Sequence, residues 1–341
     1  MKKLIAETGA ILLGRKFEVD GFAGRPFRVV THFHSDHVVG LSASKRSSIS
    51  IIATRATLES LEVLSYGIPE HKSLPLDYRR SLELENERIT LIESRHVFGS
   101  CQVLVEGERG ELYGYTSDFK LPGTPIMRDL DYLVVDATYG APYMVRRFKR
   151  EVNYLFADLV TSLLSKGKPV WVLAYYGKIQ EAMEILRRHG IEAPFLMPEK
   201  VYRLTRVAVK HGLRINDFHS DRSSEAKEVV HDRWYVYFQH ANAARRGPKD
   251  VASITLTGWI FDEPIKKAST SSWESYYVAL SDHADFEDTL YYVEEARPKV
   301  VVIDAYRSSQ RVAKMFAREL SRFKLKSLVL PRVDEALPSE D

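Results

Sequence analysis

The sequence predicts an α/β protein in which a second α/β unit interrupts the first, and three observations lead to this prediction. The chain of 341 residues is long enough for one large domain or two of ordinary size. Its composition, 45% hydrophobic and 28% charged, is typical of a globular protein. The pattern changes near residue 145 and again near residue 268, which indicates an inserted second domain.

The first part of the chain is rich in short runs of β-branched residues, which predict strands. The predicted strands are FRVVTH (27–32), IIA (51–53), RITLIES (88–94), the hairpin CQVLVEGERGELYGYTSD (101–118) and DYLVVDATYG (131–140). One helix is predicted between them, in TRATLESLEVLSYG (54–67).

From residue 151 onward, strands and helices alternate. The predicted helices are EVNYLFADLVTSLLSKG (151–167), GKIQEAMEILRRHG (177–190), DFEDTLYYVEEA (285–296) and SSQRVAKMFARELSRF (308–323). The predicted strands are PVWVLAY (169–175), HDRWYVYFQ (231–239), ASITLTGW (252–259) and KVVVIDA (299–305).

The single cysteine, Cys101, excludes an intramolecular disulfide and a CxxC-type zinc site, so a metal would need nitrogen and oxygen ligands. No run approaches the roughly 18 apolar residues of a membrane span. Glu7 interrupts the N-terminal apolar segment before a signal-peptide core could form. We therefore expect a cytoplasmic protein that does not associate with a membrane.

Charge is distributed unevenly along the chain. Residues 141–270 contain 22 Lys and Arg against 14 Asp and Glu, a net charge of +8, while the remainder contains 27 against 32, a net charge of −5. A basic segment beside an acidic remainder suits a polyanion whose phosphates meet the basic part while metals neutralise the acids. Solvated helix faces are the alternative explanation.

The segment THFHSDH (31–37) concentrates His32, His34, Asp36 and His37 in six positions. In an extended segment, residues two apart point the same way, so His32 and His34 can face one ion. Asp36 and His37 follow where the chain turns and can reach a neighbouring ion. Zinc or manganese accepts such ligands, and a pair of ions about 3.5 to 4 Å apart is suited to attack on phosphate esters.

Two further polar residues follow predicted strands, where functional sites are usually mounted. His96 comes after RITLIES, and Asp118 ends the second strand of the predicted hairpin. Each alone fits an ordinary loop residue. Together with the first loop they become candidate metal ligands.

The order HFHSDH, HVFGS, YTSDF resembles the metallo-β-lactamase fold, in which helices cover both faces of a two-sheet sandwich. This resemblance implies two divalent ions, expected to be Zn²⁺ with Mn²⁺ as the alternative. It implies the following ligands: His32, His34 and His96 for one ion, Asp36 and His37 for the other, and Asp118 as a bridge.

Downstream motifs resemble the β-CASP branch, nucleases of RNA 3′-end processing and DNA repair that carry a basic α/β insertion. They are DATYG (136–140), YGKIQ (176–180), LTGW (256–259) and SDHAD (281–285). The predicted fold is thus a metallo-β-lactamase αββα sandwich with an inserted β-CASP α/β domain. The predicted division is metallo-β-lactamase domain in 1–142 and 269–335, insertion in 143–268 and a frayed tail in 336–341.

Within the branch, residues from about 10 to 325 most resemble ligase-associated DNA exonuclease-like proteins, with Artemis-like nucleases and archaeal RNA 3′-end-processing exonucleases as relatives. The resemblance implies a metal-dependent phosphodiesterase, expected to be an exonuclease on DNA in repair or replication. It leaves room for association with repair or processing machinery and does not determine the oligomeric state. The alternatives are an RNA-processing ribonuclease, endonucleolytic attack, a small-molecule metallohydrolase and a non-catalytic nucleic-acid-binding paralogue.

The resemblance also implies catalytic roles. Asp36 belongs to the metal loop at which water is activated, and His283, held by Asp136, would protonate the departing oxygen. The alternative for His283 is a helix-capping residue. RNA-cleaving members carry a histidine ligand after the strand that follows SDHAD, and this chain offers Asp304 there as an expected ligand of the second ion.

Contacts with the nucleic acid are expected in the basic insertion, with solvated surface as the alternative for each. Lys178 begins a predicted helix, whose N-terminal amides could hold a phosphate. The segment VRRFKR could track a strand with Arg146, Arg147, Lys149 and Arg150, with the Phe148 ring available for stacking. Trp259 is expected to serve in core or hinge packing, with a stacking platform as the alternative.

Overall fold

The computed structural model describes residues 4–243, 250–268 and 274–331. Within these ranges the chain has a mixed α/β fold with three β-sheets. The predicted frayed tail, 336–341, lies outside the described residues. In the part of the chain that is described, no helix is long and apolar enough to cross a membrane.

The strands, numbered in chain order, are mostly short. They are β1 (Ile11–Leu13), β2 (Phe17–Val19), β3 (Phe27–Val29), β4 (Ser50–Ala53), β5 (Ser73–Pro75), β6 (Ser81–Leu84), β7 (Glu87–Glu93), β8 (Cys101–Glu106), β9 (Leu112–Tyr115), β10 (Tyr132–Val135), β11 (Val170–Ala174), β12 (Phe195–Met197), β13 (Phe218–Ser220), β14 (Val236–His240), β15 (Ala252–Leu256), β16 (Ile265–Lys267), β17 (Ser275–Val278), β18 (Val300–Asp304) and β19 (Ser327–Leu330).

The α-helices alternate with these strands. They are α1 (Leu41–Ser47), α2 (Arg55–Val63), α3 (Val152–Ser165), α4 (Lys178–Arg188), α5 (Glu199–Lys210), α6 (Ser224–Asp232), α7 (Phe286–Ala296) and α8 (Gln310–Arg322). The strand predicted from residue 231 begins only at Val236, because α6 continues to Asp232 and Arg233 then ends it in a left-handed conformation.

Two sheets face each other across one apolar core. The first has the order β1-β2-β3-β4-β5, and the second has the order β19-β18-β10-β9-β8-β7-β6. Phe17 and Val29 of the first sheet belong to the same buried cluster as Leu91, Val103 and Tyr115 of the second. Burial of this surface is the main force that holds the two sheets together.

Helices cover the outer faces of both sheets. Leu41 of α1 and Leu61 of α2 pack with Ile51 of β4, while Val293 of α7 and Phe316 of α8 pack on the other face of the second sheet. The layers therefore run helix, sheet, sheet, helix.

The third sheet has its own core and the order β13-β12-β14-β11-β15-β17-β16. All neighbouring strands in it are parallel except β16 and β17. Helices α3 and α4 pack on it through Phe156, Met183 and Leu186. Strand β17 continues this sheet to Val278, ten residues beyond the insertion's predicted end at residue 268.

Strand direction in the second sheet decides where polar loop residues gather. β9, β10 and β18 are parallel neighbours, and β7 runs the same way because β8 is antiparallel to both β7 and β9. The loops after these strands therefore meet at one sheet edge. His96, Asp118 and Asp136 all lie in those loops.

Candidate metal centre

The structure brings the predicted ligands of the first ion into one buried group. His32 and His34 lie in the loop after β3, His96 follows β7 and Asp118 follows β9. One ligand atom from each of these four residues falls within 4.8 Å of the others. The closely spaced histidines of the first loop therefore meet the polar residues at the strand ends, at the sheet edge where the parallel strands end.

Hydrogen bonds at the far ring nitrogens of His34 and His96, and the Thr31 hydroxyl 3.1 Å from His32 Nδ1, leave the other nitrogen of each of the three rings facing the group. His34 donates Nε2–H to the Tyr176 carbonyl at 2.8 Å, and His96 donates Nδ1–H to the Asp282 carbonyl at 3.0 Å. The remaining nitrogens face His34 Nδ1 across 3.1 Å, from His32 Nε2 and from His96 Nε2. Acceptor atoms facing each other at this distance repel unless a cation lies between them.

Protonation in this group also favours a cation. Burial lowers the pKa of His32 well below its usual value and lowers that of His96 to about 3, so both imidazoles are neutral at neutral pH. Neutral imidazole is the form that binds metals. Although burial alone would raise the pKa of Asp118, His37 and the other facing histidines hold it well below its usual range.

The spacing between the ligand atoms matches a tetrahedral ion. Asp118 Oδ2 lies 3.5 Å from His32 Nε2 and 3.4 Å from His96 Nε2. Metal–ligand bonds of about 2.0 to 2.2 Å at a tetrahedral angle place neighbouring ligands about 3.4 Å apart. The four residues therefore fit a zinc-like ion without rearrangement.

A second group shares Asp118 with the first and consists of Asp36, His37 and Asp118. His37 Nε2 lies 3.3 Å from Asp118 Oδ2 and 3.4 Å from Asp36 Oδ2, and it is buried without a hydrogen-bond partner. Burial opposes a charge on this ring, but Asp118, Asp36 and Asp20 raise the pKa of His37 well above its usual value. An ion at this position would replace that proton, so we expect its binding to weaken as pH falls.

Asp20 orients the His37 ring and was missed by the sequence reasoning. Its Oδ2 accepts from His37 Nδ1 at 2.7 Å, and its Oδ1 accepts from the Thr31 amide at 2.8 Å. The Thr31 hydroxyl also donates to Oδ2 at 2.6 Å. A buried carboxylate of this kind fixes which imidazole nitrogen faces the metal.

We expect Asp20→Asn to weaken the affinity for the second ion by roughly 10- to 100-fold while leaving the first ion in place. Asparagine tolerates the positive φ of this position, 53°, but it offers the His37 N–H only a neutral acceptor in place of a charged carboxylate. Calorimetric titration with zinc measures both affinities. Asp77→Asn, at an exposed carboxylate outside the groups described here, is the matched control, and equal second-site affinities in the two variants would contradict this role of Asp20.

Asp304 is not brought into either group, in contrast to its expected role as a ligand of the second ion. Its Oδ2 lies 2.8 Å from Arg307 Nη1, and its Oδ1 accepts from the amides of Tyr306 and Arg307. Arg307 also donates to the carbonyls of Asp20 at 2.6 Å and Asp36 at 3.4 Å. The carboxylate is therefore engaged with a cation that braces the metal loop, and three protein ligands remain for the second ion.

His283 and Asp136 are adjacent, as the sequence reasoning expected. His283 Nδ1 lies 3.0 Å from Asp136 Oδ2, while the other carboxylate oxygen accepts from the amide and hydroxyl of Thr138. His283 Nε2 points toward Asp118 Oδ2, 3.8 Å away. Asp285, not His283, caps α7 by accepting from the Asp288 amide at 3.1 Å.

Lys178 begins α4 but does not offer a free cation. Its Nζ lies 3.0 Å from Asp282 Oδ1, and both side chains are buried. The preceding Gly177 has a φ of 85°, and a Cβ there would lie 2.1 Å from Val97. Only glycine allows this close approach, which docks α4 against the loop that carries His96.

The segment VRRFKR divides into structural and exposed cations. Arg146 is buried, donates to the Gly258 carbonyl and stacks on the Tyr139 ring at 4.2 Å, so it is not an exposed phosphate contact. Lys149 pairs with Asp285 and Asp288, and Phe148 packs against the core of the third sheet. Only two of the four cations are exposed, Arg147 and Arg150.

Two cavities meet at His283. One, of about 570 Å³, contains His34, Asp36, Asp118 and His283. The other, of about 800 Å³, is lined by five cations, by Asp288 and by His283, the cations being Arg95, Lys120, Arg146, Lys149 and Arg150. Trp259 lines the first cavity with 63% of its surface exposed, so it does not pack in a core, contrary to that part of its prediction.

Comparison with known proteins gives sequence relatives of several kinds. The uncharacterized protein in the lig 3′ region of Acidianus ambivalens is 50% identical over 140 residues, which are 40% of this chain and 99% of that protein. A probable DNA ligase of Opitutus terrae is 28% identical over 285 residues, 80% of this chain and 26% of the ligase. The chain thus spans about a quarter of that ligase. No family model matches the chain.

Relatives named as repair proteins or RNases match as well. The DNA cross-link repair protein SNM1 of Arabidopsis thaliana is 23% identical over 327 residues, 85% of this chain and 64% of that protein. RNase aCSPSF2 of Saccharolobus solfataricus is 25% identical over 194 residues, 49% of this chain and 39% of the RNase.

A crystal structure of a protein of unknown function from Enterococcus faecalis V583 has the same fold. It superposes with a TM-score of 0.58 at 10% sequence identity and covers 90% of this chain and 79% of its own. At that level of identity the likeness concerns the fold alone.

Proposed function

Since this chain belongs to the β-CASP branch of the metallo-β-lactamase superfamily, we propose that it is a metal-dependent exonuclease that hydrolyses phosphodiester bonds in DNA. The observation that carries the proposal is the convergence of two ligand groups on the shared carboxylate of Asp118. In this proposal the described residues up to 142 and from 279 to 331 form the αββα sandwich. Residues 143–268 form the insertion, with β17 completing its sheet.

The protein residues supply two ligand sets of unequal strength. His32, His34, His96 and Asp118 would hold the first ion, and Asp36 and His37 would complete the second with the shared Asp118 oxygen. The donor set fits zinc, with manganese as the alternative. When bound, such ions lower the pKa of water and neutralise charge on the phosphate.

The residues around the ligands would orient the reaction. His283 stands at the junction of the two cavities, with Nδ1 held by Asp136 and Nε2 free to meet a leaving oxygen. Lys178 and Asp282 form a neutral pair beside the cluster, and the Asp282 carbonyl fixes the His96 ring. A phosphodiester lying beside both Asp118 and His283 in the first cavity would meet the metal ligands and a proton donor at the same time.

Exposed basic side chains could contact the nucleic-acid strand beyond the reacting phosphate. Arg150 is exposed and lines the second cavity together with Arg95, whose guanidinium donates to the Pro122 carbonyl at 2.8 Å. Cations along a groove bind nucleic acid through its backbone and do not depend on base sequence. This arrangement supports a polymeric phosphodiester over a small molecule as the substrate.

DNA is favoured over RNA by the extent of the similarities. The probable DNA ligase and the DNA cross-link repair protein cover 80% and 85% of this chain, whereas RNase aCSPSF2 covers 49%. An RNA-processing ribonuclease is the second candidate, and that RNase relative favours it. A groove that contacts backbone accepts either polymer, so the experiment must include both.

We expect the purified protein with zinc or manganese to degrade end-labelled DNA from one end, and the variant Asp36→Ala/His37→Ala to lose that activity. Matched single-stranded DNA, duplex DNA and RNA, each with a 5′-phosphate or a 5′-hydroxyl, establish the polymer and the polarity. Metal analysis should find about one ion in the variant, because the first ligand group is intact in it.

A variant with the same change of composition at exposed positions, His71→Ala/Asp77→Ala, is the control and should cut like the wild type. Absence of cleavage of every polymer by the wild type with two bound ions would overturn the nuclease proposal and favour a binding paralogue. Faster cleavage of RNA than of DNA would favour the second candidate.

A further inference from the structure

The mouth of the metal cavity is lined by exposed aromatic rings. Tyr66, Tyr175 and Trp259 have exposed fractions of 37%, 50% and 63%, and all three line the same cavity as His34 and His283. Large aromatic side chains are ordinarily buried, and a group of them exposed around a functional cavity indicates a binding surface.

These rings extend two aromatic arms from the metal centre. In the first arm, the Trp259 ring lies 5.0 Å from Tyr139, and Tyr139 lies 5.9 Å from His283, both as edge contacts. In the second arm, Tyr175 lies 5.2 Å from His240.

The second arm reaches the cluster through a different ligand. His240 lies 4.3 Å from the Tyr176 ring, and the Tyr176 carbonyl accepts from His34. Between His34 and His283 lies His96, with ring distances of 5.0 Å and 4.8 Å. The arms therefore flank the position at which a phosphate would be cleaved.

The Trp259 arm is held rigid from behind while its outer surface stays open. Arg146 stacks on Tyr139 at 4.2 Å and donates to the carbonyl of Gly258, the residue before Trp259. A Cβ at Gly258 would lie 2.2 Å from the Tyr139 hydroxyl, so only glycine lets this loop approach the ring. A platform fixed in this way loses little conformational entropy when a ligand binds.

Cations stand in the same cavity as the rings. Lys200 is exposed there, whereas Arg307, which also lines the cavity, is buried and paired with Asp304. Aromatic faces interleaved with cations bind single strands, since the cations meet the phosphates and the rings stack on the bases. Bases within a duplex have no free face for such stacking.

We infer that Trp259 and Tyr175 are base-stacking platforms, so that the site takes a single-stranded nucleic-acid end whose unpaired bases lie on the two arms. This inference rests on the proposed nuclease function and names its substrate class. Stacking does not depend on base identity, so the site discriminates strand state and not sequence. Duplex ends must fray before they enter.

The test is binding of a fluorescently labelled single-stranded DNA to EDTA-treated protein, followed by fluorescence anisotropy. We expect Trp259→Ala and Tyr175→Ala each to raise Kd by roughly 5- to 150-fold. Trp259→Phe, which keeps a ring, should recover most of the affinity. Trp234→Ala and Tyr154→Ala, at aromatic residues with exposed fractions of 48% and 61% outside the cavity, are the matched controls and should bind like the wild type.

An oligonucleotide with abasic sites separates stacking from a general loss of binding. The wild type should bind it at least as weakly as Trp259→Ala binds the normal strand, and on abasic DNA the wild type and Trp259→Ala should have the same affinity. Equal losses for the variant on normal and abasic strands would overturn the inference, as would wild-type affinity of Trp259→Ala for the normal strand. Binding is measured without metal, so its result does not depend on cleavage. If the variants bind single strands more weakly but the metal-loaded wild type cleaves nothing, base stacking is supported and the nuclease proposal is refuted.

Discussion

Asp118→Asn is expected to lower the rate of metal-dependent hydrolysis by more than the roughly 10²- to 10⁴-fold that loss of a general acid causes. Asp118 Oδ2 lies 3.3 to 3.5 Å from the Nε2 atoms of His32, His37 and His96, and Asp118 is a member of both ligand groups. Removing its charge therefore weakens the binding of both ions, whereas loss of Asp36 weakens the binding of one.

The measurement is metal content by atomic emission after dialysis, together with cleavage of single-stranded DNA. Asp118→Asn should retain fewer ions than Asp36→Ala/His37→Ala, although asparagine preserves the volume of the buried side chain. Asp158→Asn, at an exposed carboxylate on α3, controls for the chemical change. Two tightly bound ions or near-normal turnover in Asp118→Asn would refute its role as the shared ligand.

The site residues that sequence reasoning found are those whose position follows from local periodicity or strand ends. His32 and His34 are two residues apart in one loop, and His96 and Asp118 follow strands that run the same way. Parallel strand ends meet at one edge, so such residues can be brought together without knowledge of any side-chain contact.

Residues whose role depends on a contact far away in sequence could not be recognised from the pattern of neighbouring residues. Asp20 contacts His37 across 17 positions of sequence, and Arg307 reaches the carbonyl of Asp36 across 271. Asp304 was placed correctly at the end of a strand, but its carboxylate is neutralised by Arg307, a pairing that the polarity of the position does not indicate. The exposure of Trp259 likewise depends on how Gly258 and Tyr139 pack, which no pattern along the chain records.

The fold followed the same division. Longer elements with clear periodicity, such as α3, α4, β8 and β18, were predicted near their observed bounds. Several three-residue strands, including β1, β2 and β5, were not, because so few residues cannot display an alternating pattern. The mixed α/β class was confirmed.

His283→Ala is expected to leave the metal content unchanged and to lower turnover by roughly 10² to 10⁴. Burial alone would lower the pKa of His283, but Asp118 and the hydrogen bond with Asp136 raise it to about 9. In the absence of bound ions the imidazole is therefore protonated at neutral pH, with Nδ1–H directed to Asp136 and Nε2–H directed toward Asp118.

Asp136→Asn removes part of the field that raises this pKa. The protonated form of His283 should then be lost at a lower pH, so the alkaline limb of the pH–rate profile should move downward in pH. The change is local because Thr138 holds the other oxygen of Asp136, at 2.8 Å from its amide and 2.7 Å from its hydroxyl. A pH–rate profile identical to that of the wild type would show that Asp136 does not set the pKa of the general acid.

The leaving group provides the sharpest test of His283. A nucleotide alkoxide needs a proton as it departs, whereas p-nitrophenolate is stable without one. Hydrolysis of thymidine 5′-p-nitrophenyl phosphate should therefore fall much less in His283→Ala than cleavage of DNA does. Equal losses on both substrates with intact metal content would assign His283 to phosphate binding, and loss of metal would make it a ligand. Only the unequal loss identifies the group that protonates the departing oxygen.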